Sequence, residues 1–107
     1  MNRGSVWWVQ FDPSIGSEIQ KTRPAVIVSN DIANRHLSRV IVIPLTSNTG
    51  KVYPGNVLIT VSGVQSKALA DQIMTADKNR LRSKMGVLSN ADMLAVENAL
   101  KLQLGIK

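Results

Sequence analysis

Two runs that are apolar almost throughout, "AVIVS" (Ala25 to Ser29) and "RVIVIPLT" (Arg39 to Thr46), constrain this chain most. A strand with one wet face alternates apolar and polar residues; a strand without that alternation needs cover on both faces. Three more strands are expected. They are "VWWVQF" (Val6 to Phe11), broken by Asp12-Pro13, then "NVLITV" (Asn56 to Val61), then "KALADQIMT" (Lys67 to Thr75). Pro24 opens the second strand, where a missing N–H is tolerable, and Pro44 inside the third suggests an edge or a bulge. Towards the C-terminus the period changes. Ser89 followed by Asp92 makes a capping-box-like start, Met93, Val96, Leu100 and Leu104 recur at helical spacing, and Gly105 is a stop. Several strands and then one helix, without βαβ alternation, predict a small mostly-β barrel.

At 107 residues the chain is expected to form a single domain, residues 1–107. It has no cysteine, which excludes disulfides and thiolate metal sites. Its apolar stretches fall far short of a membrane span and no signal-like core opens it, so a soluble, cytoplasmic protein is expected. Thirteen Lys and Arg against seven Asp and Glu leave a net charge of +6. Such a surplus favours a polyanionic partner, nucleic acid or an acidic protein tail ahead of a membrane surface.

The residues exclude several chemistries. The single histidine, His36, cannot serve a mechanism that needs two imidazoles, and it reads as a solvated loop residue. No His or Asp cluster has metal-ligand spacing, Asp71 and Asp77 being only a weak magnesium pair, and no glycine-rich phosphate loop is present. No metal and no cofactor are therefore expected. What remains is arginine, hydroxyls and isolated carboxylates. Arg23 opens one strand and Thr46-Ser47 closes another; if those ends lie side by side, a guanidinium and two hydroxyls suit a phosphate. Strand propensity alone also accounts for both positions. In "DKNRLRSK", Lys78, Arg80, Arg82 and Lys84 alternate and would share a face if extended, or form a merely solvated one. Adjacent Trp7 and Trp8 must point to opposite faces, one into the core and the other free to be exposed.

Taken in order, "RGSVWWVQFDPSIGSE", "TRPAVIVSND", "VIPLTS", "SKALADQIMTADKNRL" and "LSNADMLAVENALKLQLG" resemble the MazF/PemK (Kid) family of toxins from type II toxin–antitoxin systems, nearly end to end. The resemblance implies an SH3-like, PemK/CcdB-type barrel of about five to seven strands with a C-terminal helix, built as a homodimer. It implies a toxin endoribonuclease that cuts single-stranded RNA without a metal, and an antitoxin partner, expected to be acidic. Arg23 and Thr46 match the family's cleavage residues. RNA-contacting positions are expected at Ser17, Glu18, Ser47, Lys51, Asp71, Gln72, Lys78 and Arg80, with Gly16 to Glu18 in the loop beside the site. Because RNA carries its own nucleophile, the 2′-hydroxyl, positioning and charge stabilisation suffice, and a 2′,3′-cyclic phosphate and a 5′-hydroxyl should result. Glu18 is a conceivable proton carrier, since an arginine with a pKa above about 12 is a poor base.

The chain also departs from the pattern. Kid-like members carry an arginine at the place of Leu69 and a histidine at that of Ser17, and many have an arginine where Met74 stands. Acid–base roles therefore do not transfer from them. The rival reading is a CcdB-like gyrase inhibitor, which shares "VIPL" and an "MTTD" stretch similar to "MTAD" here, but lacks the "TRPAVIV" segment and has alanine at the place of Thr46.

Overall fold

The computed structural model describes residues 1–11 and 22–107. Asp12-Pro13, Ser17 and Glu18 lie outside them. The described strands are β1 (Ser5–Gln10), β2 (Thr22–Ile27), β3 (Arg39–Thr46), β4 (Asn56–Val61), β5 (Val64–Leu69), β6 (Met74–Asp77) and β7 (Leu81–Val87). A short helix α1 (Asp31–His36) precedes β3, and a long one, α2 (Asn90–Leu104), closes the chain. The sheet is antiparallel in the order β4-β5-β3-β2-β1-β7, with β6 also paired to β3, and it curls into a half-barrel. The mostly-β barrel with a C-terminal helix is the architecture expected from the strand runs.

The apolar runs are covered on both faces except at Ile41, which is 39% exposed in the first half of β3. Ala25, Val26 and Ile27 are all fully buried, yet they feed two different clusters. Val26 joins Val6, Ile43 and Leu45 beneath Val96 and Ala99 of α2. Ala25 and Ile27 join Val9, Val40, Val42, Ala76 and Leu81 in a second cluster. Alternation along one strand thus serves two cores, and each large side chain so buried contributes about 1.5–3 kcal/mol.

Several boundaries differ from expectation, each for a local reason. β2 begins at Thr22, so Arg23 and Pro24 belong to the strand, with Pro24 opposite Trp8. Pro44 is at no edge. It sits where β3 changes neighbours, from β6 along Arg39–Val42 to β5 at Leu45 and Thr46, while Ala25 faces it on the other side. The single strand expected over Lys67 to Thr75 is two, separated by a 3-10 turn at Ala70–Gln72 whose first amide bonds to the Gly55 carbonyl. That corner carries the chain from one end of β3 to the other. The segment taken as a loop around His36 holds α1, capped by the Asn30 side chain accepting the Ala33 N–H at 2.8 Å. Lys78–Arg80 is a 3-10 turn, so the basic alternation is interrupted and only Arg82 and Lys84 lie on β7.

In α2, Ser89 caps the Asp92 amide and Gly105 ends the helix at φ +69°, a conformation glycine adopts without penalty. Met93, Val96 and Ala99 form its buried stripe, with Leu100 packed at its margin. Leu104 is exposed, outside that buried stripe. The tryptophans divide as expected, Trp7 half-buried against the Val9–Ala25–Ile27 cluster and Trp8 exposed at 36%.

Candidate functional site

Antiparallel pairing decides which residues meet at the rim. β2 and β3 pair with Ala25 opposite Pro44. Two residues further out on each strand stand Arg23 and Thr46, at the same end of the β2–β3 pair. Separated by a long stretch of sequence, the two are neighbours because one opens a strand and the other closes its partner.

Both line one cavity of about 600 Å³. Trp8, Pro24, Leu45, Val61 and Met85 supply an apolar wall, while Ser47, Ser62 and Ser66 add hydroxyls. The far wall is the β4–β5 hairpin, turned by Ser62 and Gly63, both at positive φ (50° and 81°) as a two-residue hairpin turn requires. The Ser62 hydroxyl donates to the Met85 carbonyl at 3.0 Å and so ties the hairpin to β7.

The hydrogen bonds separate available groups from committed ones. Arg23 pairs with Val9 in the ladder, but its side chain is exposed and bonds to none of the described residues. The Thr46 hydroxyl oxygen accepts the Asn48 N–H at 3.2 Å, which leaves its own O–H to donate elsewhere. A guanidinium with no partner among the described residues, beside a hydroxyl donor and over a largely apolar cavity, can hold a phosphodiester with an adjoining base or ribose.

Of the other expected contacts, Ser47 lines the same cavity. Lys51 is exposed in the β3–β4 loop, where its carbonyl accepts from Lys67 Nζ at 2.6 Å. Asp71 and Gln72 occupy the 3-10 turn after β5, with Asp71 accepting from Asn56 Nδ2 at 3.4 Å; neither lines the cavity. Lys78 is drawn to the opposite end of β3, its ammonium on the Asn34 carbonyl and its amide on that of Ser38. Arg80 donates to the Gln10 carbonyl at 3.3 Å, and Arg82 binds the Gln10 side chain. Trp8 and the hairpin serines Ser62 and Ser66 were not singled out from the sequence as site residues. Only Trp8 carried a signal, the obligatory outward turn of one of two adjacent tryptophans. Asp31 is the one described group whose pKa is clearly displaced; the Arg3 backbone N–H, at 2.7 Å, holds its carboxyl below the ordinary range, remote from the cavity.

Comparison with known proteins gives a consistent result. A family model described as the PemK-like, MazF-like toxin of type II toxin–antitoxin systems matches residues 2–104. An endoribonuclease MazF9 of Mycobacterium tuberculosis is 44% identical, covering 99% of this chain and 98% of its own length. An endoribonuclease MazF of Staphylococcus saprophyticus is 39% identical over 99% of this chain and 92% of its own. Among solved structures, an endoribonuclease in complex with its cognate antitoxin, from a mycobacterial species, superposes with a TM-score of 0.83. It is 30% identical and covers all of this chain and 97% of that one. The MazF of a MazE–MazF crystal structure from Deinococcus radiodurans gives a TM-score of 0.85 at 25% identity, with coverage of 100% and 97%.

Proposed function

The chain belongs to the PemK-like, MazF-like toxin family of type II toxin–antitoxin systems, and from that premise we propose that it is a toxin endoribonuclease cutting single-stranded RNA with no metal. The observation that carries the proposal is the meeting of Arg23 and Thr46 on one cavity. In the reaction, a ribose 2′-oxygen attacks the adjacent phosphorus and loses its proton, while the P–O5′ bond breaks and O5′ gains one. A 2′,3′-cyclic phosphate and a 5′-hydroxyl remain. Arg23 binds the non-bridging oxygens and neutralises the charge that grows on them; Thr46 donates a hydrogen bond to the same centre. The apolar wall keeps water from the phosphorus and seats the flanking nucleotide. Ser47, at the same rim, is the third donor.

A partner antitoxin, with an acidic segment that lies on the basic surface, completes the reading; neighbours in this fold were solved with theirs. A homodimer acting in the cytoplasm, each copy one domain over residues 1–107, is part of the same proposal. No described helix is long and apolar enough to cross a membrane. A gyrase inhibitor acting only by binding has no use for a threonine hydroxyl aligned with Arg23, which favours cutting.

Mapping of fragment ends from a mixed RNA pool tests the reaction. Free 5′-hydroxyls and 2′,3′-cyclic phosphates are expected at each cut. Intact RNA, or 5′-phosphate ends, contradicts it.

A further inference from the structure

Lys67 is a charged side chain left only 8% exposed. Burying an ammonium is costly unless it is partnered. The partner here is no carboxylate: among the described residues the ion pair is Arg3–Glu97. Lys67 donates instead to the Lys51 carbonyl at 2.6 Å. In the ladder it stands directly opposite Thr46 on β3, and opposed residues share a face with Cβ atoms about 5 Å apart.

At its far end the loop that leaves Thr46 is tied to the turn after β5, the Gly55 carbonyl accepting the Ala70 N–H at 3.0 Å; before that, its other bonds among the described residues are to near neighbours. Asn48 N–H bonds back to the Thr46 hydroxyl at 3.2 Å, Gly50 N–H to the Asn48 side chain at 3.2 Å, and Tyr53 N–H to Asn56 at 3.0 Å. The bond to Lys51 is the one that fastens the middle of this loop to the sheet. We infer that Lys67 is a positioning residue for the cleavage proposed above: its ammonium anchors the Thr46–Lys51 loop, so that the Thr46 hydroxyl stays turned to the phosphate. The same charge adds positive potential behind the rim where Arg23 binds. Lys67 touches no substrate; it works through Lys51 and Thr46.

The test uses Lys67→Met, which keeps the length of the stem and loses the donor, on a single-stranded oligoribonucleotide. With a thermal midpoint within a few degrees of the parent, its kcat is expected to fall about tenfold or more while KM moves less than about threefold, as a misplaced catalytic group implies. Amide exchange over residues 47–51 is expected to speed up in the same variant. Lys67→Arg, retaining charge and donor, should be the faster of the two variants and keeps the test open if Lys67→Met fails to fold. An unchanged kcat in a folded Lys67→Met, unchanged loop exchange, or a Lys67→Arg no faster than Lys67→Met, overturns the inference. Because the inference rests on the proposed function, the parent protein is the control. A parent that leaves RNA intact removes the function, and loop exchange alone then decides the anchor.

Discussion

Arg23 and the basic stretch from Lys78 to Arg82 are both exposed in part, cationic and close to strand ends, yet the structure uses them in opposite ways. Lys78 is fixed on the Asn34 carbonyl, Arg80 on the Gln10 carbonyl, and Arg82 on the Gln10 side chain and the Asn79 carbonyl. These cations staple the turn between β6 and β7 to the ends of α1 and β1. Arg23 makes no such bond among the described residues and faces a hydroxyl-lined cavity. A surplus of positive charge is therefore a poor guide to where an anion binds. What matters is which cation the fold leaves uncommitted.

That contrast breaks first at Arg23. Arg23→Ala should lower kcat/KM for single-stranded RNA by about 100-fold or more, the loss typical of removing a charge-stabilising donor, with the thermal midpoint within a few degrees of the parent. An Arg23→Ala protein that melts far earlier assigns the residue to the fold instead. Thr46→Val keeps the β-branched shape and deletes the hydroxyl; a loss of about 10- to 100-fold in kcat is expected, because one neutral donor is weaker than a guanidinium. Equal kcat in that variant removes Thr46 from the site.

Smaller effects sharpen the other half of the comparison. Arg82→Ala should shift the thermal midpoint down by a few degrees, since it deletes bonds to Gln10 and Asn79 worth about 1 kcal/mol together, and should leave kcat within about threefold. A large loss of activity at unchanged stability puts Arg82 on the substrate. The smallest effect belongs to Asp31, whose carboxyl is held low by the Arg3 backbone N–H and, after that, by Asn34 and Arg35. A carboxyl with a lowered folded-state pKa stabilises the fold while ionised, and that contribution fades as pH falls through the folded value. Stability curves of the parent and Asp31→Asn should therefore differ slightly at neutral pH and converge in acid. Curves that stay parallel remove the electrostatic contribution of Asp31.

The architecture was largely legible because it follows from local pattern. β3 and β4 have the boundaries their sequences suggest, and the Ser89 cap and Gly105 stop delimit α2 as composition implies. The failures occur where tertiary contact overrides pattern. Nothing in "KALADQIMT" announces that the chain must turn a corner to reach the other end of β3, and nothing in "DKNRLRSK" announces a 3-10 turn. α1 was signalled by Asn30, Asp31 and the basic residues Arg35 and His36 in its last turn, but six residues are short for a periodic stripe. At the site, the residues named from the sequence were those with recognisable motifs. Arg23, Thr46 and Ser47 meet there, whereas Asp71 and Lys78 are held elsewhere by bonds that depend on the fold. Lys67 was unreadable for the same reason, since only register sets it against Thr46.

The central claim is that the substrate supplies the attacking oxygen and the protein supplies only placement and charge. Two single-stranded oligoribonucleotides in excess EDTA test this, identical except that one carries a single 2′-deoxyribose on the 5′ side of the scissile phosphate. The account predicts that the all-ribose strand is cut and its partner stays whole at that position. Equal cutting of both, or a requirement for a divalent cation before either is cut, contradicts it.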